Sequence, residues 1–356
     1  MTISLLATYL RSLDGVCTWA NAPLAPFTTI STGGKATLLA TVASREALSA
    51  TLVAIAKAED RSGTAIPWTC LGAGSNLLIA DEGYPGLLLK LDEGFRYIEG
   101  LPDRKPKFKE QVSITAGAGT HLSHLSTLMA KAGLSGVEFA CGIPGSLGGA
   151  VAMNAGAHGS CLSEVVESIE LIIPMSDTFT SSQKNGMTTR NGREISAVWL
   201  SAEDLHWGYR YCELPPSSVV TAVRIRVTAG DATEILRNQR ELLRARRDSQ
   251  PRGVHTFGSV FKNPPGNSAG RLLDEAGLKG MHWGGAEVST VHANFISNTG
   301  DANTSDVLTL MGLMRQGVYN MSGFLLEPEV KLLGASFPWD SNLGASVKPI
   351  PRDNNG

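Results

Sequence analysis

The sequence predicts an α+β protein built around more than one core. Three observations carry that reading. Apolar positions alternate between strand spacing and helix spacing, but the strands are short and separated by turns rich in Gly, Pro and Asn, which is not the pattern of a doubly wound parallel sheet. The 356 residues suffice for roughly two to three domains of about 150 residues. The composition shifts near Ala229-Gly230, where strand-like runs give way to a basic helix, and this is the expected domain border.

Bulk composition excludes several classes of function. Hydrophobic residues make up 42% and charged residues 18%, an ordinary globular balance that rules out a disordered chain. Lys+Arg 31 against Asp+Glu 33 gives a net charge of -2, so neither nucleic acid nor an acidic membrane surface is the expected partner, although a local basic patch can still hold phosphates. The five cysteines (Cys17, Cys70, Cys141, Cys161, Cys212) form no CxxC pair and no Cys/His spacing, which argues against a disulfide scaffold and a metal site. Arg11 follows the apolar N-terminal stretch instead of preceding it, the wrong order for a secretory signal, and no apolar run approaches the roughly 20 residues of a membrane span. A cytoplasmic protein, monomeric or weakly oligomeric, is expected.

The elements follow in order. Leu5, Leu6, Tyr9, Leu10 and Leu13 have helical spacing over 2–14, and a Pro-rich connector is expected over 21–26. A strand is expected over 37–42, then a helix over 44–58 opened by Ser44 with Glu46 in its first turn. Short strands are expected at 67–71, 77–79, 87–91 and 112–116, with a charged turn over 103–109. Leu122, Leu125, Leu128 and Met129 mark a helix over 121–133. Strands at 165–173 and 219–227 flank a polar excursion at 174–195. Helices are expected at 231–247, about 268–277 and 304–320, a strand at 326–333, and a loose tail over 336–356.

Glycine is the compositional outlier, at 39 residues, and it is clustered. Gly72-Ala-Gly-Ser-Asn76, Gly117-Ala-Gly119 and Gly142-Ile-Pro-Gly-Ser-Leu-Gly-Gly-Ala150 each follow a strand or apolar stretch, and Asn154-Ala-Gly-Ala-His-Gly159 adds a fourth small-residue run. Small residues let backbone N–H groups converge on an anion without a Cβ in the way. No loop ends in Gly-Lys-Ser/Thr, and none is a GxGxxG followed by a helix and a later acid, so a Walker site and a Rossmann site are both disfavoured. A single loop of this kind is more often a tight turn. Several together fit a long phosphate-containing ligand such as a dinucleotide.

Polar residues in the last third remain ambiguous on their own. Ser259 lies in Phe257-Gly-Ser-Val-Phe261, which is no GxSxG elbow. Glu329 and Lys331 share one face of the expected strand, which reads as a solvated edge. Gly208-Tyr-Arg-Tyr211 places aromatics around an Arg that could hold a carboxylate or simply decorate the surface. His158 and His292 read as structural.

Taken in order, these segments resemble a family, UDP-N-acetylenolpyruvoylglucosamine reductase. Leu71-Gly-Ala-Gly-Ser-Asn-Leu-Leu78 resembles its first flavin loop, and residues 136–159 its long second flavin segment. Gly208-Tyr-Arg210 is similar to its arginine motif. Gly258-Ser-Val-Phe-Lys-Asn-Pro264, the stretch 269–280, His292-Ala-Asn-Phe-Ile296 and Leu326-Glu-Pro-Glu-Val330 follow as in its C-terminal domain. The likeness runs from about Pro23 to Gly334.

The resemblance implies an FAD-binding fold of the vanillyl-alcohol-oxidase type, with two flavin-binding subdomains over 1–85 and 86–229. A C-terminal α+β substrate domain would span 230–322, and a closing strand at 323–335 would carry a catalytic Glu. It implies bound FAD, reduction by NADPH, and hydride transfer from flavin N5 to the vinyl methylene carbon of UDP-N-acetylglucosamine enolpyruvate, giving UDP-N-acetylmuramate for peptidoglycan synthesis. By the same resemblance Arg210 and Glu329 act at the substrate carboxylate, where an enediolate develops and needs cationic or donor groups. A Glu there helps only if protonated or sharing a proton, which predicts an unusual pKa. Ser259 would deliver the proton. The cofactor contacts implied are Gly72, Ala73, Gly74, Ser75, Asn76, Gly142, Ile143, Pro144, Gly145, Ser146, Gly148, Gly149, Ala150, Asn154 and Gly156, and the substrate contacts Tyr209, Lys262 and Asn263.

Three positions depart from the family pattern. Cys212 stands where Ser is common, His158 where Tyr is common, and Ala73 where Gly or Glu is frequent. The C-terminal motifs are similar to the family type without a tyrosine-bearing loop, and the 174–195 excursion contains no Tyr. A related FAD oxidoreductase acting on a sugar or hydroxy acid, or a binding module without activity, would keep the glycine loops but has no reason to keep Ser259, Arg210 and Glu329 in these contexts.

Overall fold

The computed structural model describes residues 2–104, 106–174 and 195–340. The excursion expected within 174–195, save its two end residues, and the tail beyond 340 lie outside the described residues. Three lobes follow one another.

The first lobe runs α1 (Thr2–Leu10), β1 (Val16–Pro23), β2 (Lys35–Val42), α2 (Arg45–Ser62), β3 (Trp68–Cys70), β4 (Leu77–Ile79) and β5 (Tyr84–Leu91). Its sheet has the order β1-β2-β5-β3, with β1 antiparallel to β2 and the other pairs parallel. Leu38, Leu87 and Leu89 face α1 and α2, while Leu39 and Leu88 face the opposite side with Leu71, the residue entering the first glycine loop. Ser44 caps α2 by accepting from the Ala47 N–H, and Gly63 ends it in the left-handed region at φ 64°. The Pro-rich connector expected at 21–26 is instead partly strand, since β1 pairs with β2 through Pro23. β1 is an edge strand and Pro23 is its last residue, so the missing N–H removes no interior ladder bond.

The second lobe runs β6 (Ile98–Glu99), β7 (Gln111–Gly117), α3 (Leu122–Lys131), β8 (Leu134–Ser135), α4 (Leu147–Ala152), β9 (Gly156–Ala157), β10 (Ser160–Cys161), β11 (Val166–Pro174), β12 (Ile195–Ser201), β13 (Trp207–Gly208), β14 (Tyr211–Cys212), β15 (Val219–Ala229) and α5 (Ala232–Ser249). Its sheet is antiparallel, ordered β12-β11-β15-β7-β6. Alternate residues of β15 (Val223, Ile225, Val227) pack with Leu122, Leu125 and Met129 of α3. α5 follows the expected border but packs on α3, where Gln239 Nε2 donates to Ser126 Oγ at 2.9 Å.

A buried carboxylate ties the first two lobes. Glu170, 6% exposed, accepts from Arg45 Nη2 at 2.8 Å and from Thr221 Oγ1 at 2.7 Å. Glu170→Ala leaves the buried Thr221 hydroxyl without that acceptor and Arg45 without its carboxylate, keeping only its bond to the Tyr97 hydroxyl. A loss of about 2–3 kcal/mol is expected, below the ~3–5 kcal/mol for a fully buried pair because Arg45 reaches water. A denaturant titration checks it.

The third lobe holds α6 (Ala269–Glu275), β16 (His282–Trp283), β17 (Ala286–Val288), β18 (Ile296–Asn298), α7 (Thr304–Ser322) and β19 (Lys331–Leu333). Its core of Phe257, Phe261, Leu273, Ile296, Leu310 and Met314 takes in Ile30 and Leu78 from the first lobe, and β19 pairs in parallel with β4. Asp81 reaches across to accept from the Thr304 and Ser305 N–H groups, both at 2.8 Å, at the start of α7. The strand expected over 326–333 is confined to 331–333. Ahead of it the chain is clamped by an isolated bridge between Phe261 and Pro328 and by the Glu329 N–H donating to Val260 O at 2.8 Å. Pro328 has no N–H, so no ladder can continue through it. The tail expected to be loose from 336 is packed at its start, where Phe337 and Trp339 stack 5.2 Å apart and Arg315 lies over Trp339.

Candidate active site

The lobes enclose a cavity of about 660 Å³, within the ~300–1,000 Å³ range of cofactor and small-molecule sites. The first glycine loop and the second glycine segment line it from one side, and Ser259, Phe295 and Glu329 of the third lobe from the other. A smaller space of about 180 Å³ adjoins it, sharing Gly72, Ala73, Ser146 and Gly149 and adding Lys90, Arg96 and Gly148.

The loops are placed by their own backbones. Ser75 Oγ donates to Pro144 O at 2.9 Å and so joins the two glycine segments, and Lys90 Nζ donates to Gly72 O at 3.1 Å. Among the described residues, the Ala73, Gly74 and Ser75 N–H groups meet no protein acceptor. Gly74 has φ 67°, and a Cβ there would strike the Phe27 carbonyl. Gly74→Ala therefore combines left-handed strain with a backbone clash. Loss of at least about 2 kcal/mol of stability, and protein purified without its flavin, are the expected results, read by thermal unfolding and the visible spectrum.

Arg210 and Glu329 meet inside the cavity. Arg210 is the second residue of the two-residue turn between β13 and β14 and has φ 57°, an uncommon conformation for a side chain of this size. Its Nε donates to Glu329 Oε1 at 2.7 Å and its Nη2 to Gly156 O at 2.9 Å. The side chains are 21% and 14% exposed, so Glu329 is not on the solvated edge that a continuous strand would give. Burial pushes the Glu329 carboxyl above its usual range, against the opposing pull of Arg210 and Lys262. Asn76 Nδ2 donates to Glu329 O at 3.1 Å, and Lys331 N–H returns to Asn76 O, so the first glycine loop holds the Glu329 backbone. Ser259 follows Gly258, at φ 86°, and bridges to Phe295.

The structure distributes the remaining expected contacts unevenly. Gly72, Ala73, Gly74, Ser75, Asn76, Ile143, Pro144, Gly145, Ser146, Gly149, Ala150 and Gly156 line the large cavity, and Gly148 the small one. Gly142 lies instead against Leu243 and Arg246 of α5. Asn154 is buried away from the cavity wall and bonds to Gly208 and Ser163. Tyr209 is half exposed and stacks on Arg210, with the guanidinium carbon 4.9 Å from the ring. Lys262 pairs with Glu327 at 3.5 Å, and Asn263 Oδ1 accepts from the Ala269 N–H at the start of α6. Cys212 packs in the second lobe's core, and burial pushes its thiol up to about 11. His158, expected to be structural, lines the cavity. Lys331, read in the sequence as part of a solvated strand face, lines it too, as do Phe257 and Phe295 of the quoted motifs and Arg246, which the sequence did not single out. Among the described residues no carboxylate pairs with Arg246. The basic composition of α5 was the only sequence signal for it.

Comparison with known proteins settles the family. Residues 36–182 match a family model described as an FAD binding domain, and residues 250–333 match the C-terminal domain of UDP-N-acetylenolpyruvoylglucosamine reductase. The reductase of that name from Myxococcus xanthus is 40% identical over 329 residues, covering 92% of this chain and 96% of the relative. The chain belongs to the UDP-N-acetylenolpyruvoylglucosamine reductase family. The Halalkalibacterium halodurans member is 37% identical over 92% of this chain and 98% of its own. The crystal structure of the Thermus caldophilus member superposes with a TM-score of 0.69 at 36% identity, covering 89% of this chain and 98% of that one.

The site fits the FAD that this family membership implies. The unpaired Ala73, Gly74 and Ser75 N–H groups, in a loop that lines the cavity, suit a diphosphate held by backbone. Arg246 and Lys331, with Arg210, supply positive charge along the cavity wall.

Proposed function

We propose that this chain reduces the enolpyruvyl ether of UDP-N-acetylglucosamine to the lactyl ether of UDP-N-acetylmuramate, with NADPH as reductant. FAD, held by Gly72–Asn76 and the second glycine segment, would supply the two-electron chemistry between NADPH and the vinyl methylene carbon. The observation that carries the reading is the Arg210–Glu329 pair at 2.7 Å, inside a cavity that both the flavin loops and Ser259 line.

Arg210 faces the substrate carboxylate. Charge builds there as the neighbouring carbon gains electron density, and a guanidinium already held by Glu329 and Gly156 O needs no reorganisation to meet it. Glu329 stands at the same end, and its raised pKa favours a carboxyl that can donate to that charge instead of repelling it. A second anion brought to Arg210 pushes it further in the same direction. Ser259 delivers the proton to the carbon bearing the carboxylate. A hydroxyl is a weak acid, but the carbanion it meets is a strong base. Phe257 and Phe295 flank Ser259 in the cavity wall and limit water there.

Gly72–Asn76 and the lining residues of the second segment hold the cofactor, and Lys262, paired with Glu327, adds positive charge close to Glu329. Among the described residues no helix is long and apolar enough to cross a membrane. We place the activity in the cytoplasm, feeding peptidoglycan synthesis and through it cell shape and division. The test incubates purified protein with NADPH and the enolpyruvyl UDP-sugar and identifies the product by mass. UDP-N-acetylmuramate formed in step with NADPH consumed is expected. NADPH oxidation indifferent to the UDP-sugar would favour a different acceptor.

A further inference from the structure

Asn154 stands just past α4 with φ 39° and is 5% exposed. Its side chain is fully committed. Oδ1 accepts from the Ser163 N–H at 3.0 Å, and Nδ2 donates to Gly208 O at 3.0 Å. Gly208 opens the turn that carries Arg210. Two residues beyond Asn154, the Gly156 carbonyl accepts from Arg210 Nη2 at 2.9 Å. The short segment 154–156 thus grips the β13–β14 hairpin twice, at its backbone and at the guanidinium.

The double grip has a physical reason. Arg210 sits at φ 57°, where a side chain is strained, and such a conformation persists only when its surroundings over-determine it. The hairpin is short, with the register pairs Trp207↔Cys212 and Gly208↔Tyr211 and a Glu213 N–H donating to His206 O at 3.0 Å beyond them, and a two-stranded ribbon this short is marginal on its own. With the Gly208 carbonyl released, the turn can relax and carry the guanidinium away from Glu329.

We propose that Asn154 is a positioning residue for the reaction, anchoring the hairpin so that Arg210 stays in its strained conformation against Glu329. The inference rests on the reading of Arg210 and Glu329 as the pair that meets the substrate carboxylate. Asn154→Asp tests it. The substitution keeps the size of the side chain and the acceptor for Ser163, but turns an acceptor toward the Gly208 carbonyl in place of a donor.

Four holoenzymes are compared: wild type, N154D, Arg210→Ala, and the double variant. N154D is expected to keep its flavin and its rate of flavin reduction by NADPH, and to lose about 10²-fold in kcat with the enolpyruvyl substrate, the scale of a misplaced catalytic group. In the Arg210→Ala background the same change is expected to cost less than about threefold, because the group it positions is gone. An unchanged kcat in N154D, or the full penalty repeated in the Arg210→Ala background, overturns the inference. Asn154→Gly, which suits φ 39° and removes the amide, is run alongside. Loss of flavin or of folding in both variants assigns Asn154 to the cofactor lobe instead and also overturns it. An Arg210→Ala enzyme that turns over at the wild-type rate sinks the catalytic reading of the pair, and this inference with it.

Discussion

Ser259→Ala is expected to lower turnover of the enolpyruvyl UDP-sugar by about 10²–10⁴-fold, the range over which a positioned general acid contributes. The effect is confined to one half of the reaction. Ser259 lines the cavity opposite the glycine loops and makes none of their connecting bonds, so NADPH should still bleach the bound flavin at close to the wild-type rate. Ser259→Cys keeps a proton on a side chain of similar shape and should recover part of the loss. Single-turnover absorbance traces for the two half-reactions separate these outcomes. Equal slowing of both halves in Ser259→Ala would mean that the residue serves the cavity's shape and not proton delivery.

The second large effect concerns the Arg210–Glu329 pair. Arg210→Lys keeps the charge but not the fork that contacts Glu329 Oε1 and Gly156 O together, so a loss of about 10²–10³-fold in kcat is expected, as for removing one donor at a developing anion. The pH dependence gives the sign for Glu329. Its carboxyl is raised by burial, and the protonated form is the one that donates. Activity should therefore hold at lower pH and fall as pH rises through that raised pKa. The substrate carboxylate adds a second negative charge and raises the value further, so the descending limb of kcat should lie at higher pH than that of kcat/KM. Glu329→Gln, neutral at every pH, should lack the limb altogether. Retention of the same limb in Glu329→Gln would assign the titration to another group.

Much of this architecture is legible in the sequence because it rests on short-range signals. Ser44 marks the start of α2 by capping chemistry, although the helix runs to Ser62 and not to 58, and alternating apolar residues mark β2 and β15. The clustered glycines and small residues mark the loops that line the cavity. What escaped is set by distant partners. β1 continues through Pro23 because β2 offers it an edge, which the composition of 21–26 does not reveal. Glu329 looks like a solvated strand position until Val260, Asn76 and Arg210 are brought to it from three other segments. Asn154 and Asn263 lie in motifs that resemble binding segments, yet their amides serve Gly208 and the start of α6. Arg246 reaches the cavity only because α5 packs on α3, a contact between residues far apart in the chain. A motif fixes which residues are close in sequence, whereas the site depends on which hydrogen bonds their side chains complete.

The central claim is that electrons from NADPH pass through bound FAD to an enolpyruvyl UDP-sugar held against Arg210, Glu329 and Ser259. The most direct measurement is anaerobic and follows the flavin band of the purified holoenzyme. NADPH is added first, then UDP-N-acetylglucosamine enolpyruvate. The account predicts bleaching by NADPH, rapid recolouring by the UDP-sugar, and recolouring slowed by at least about 10²-fold in Ser259→Ala. A flavin that bleaches and stays bleached when the enolpyruvyl sugar is added would contradict it.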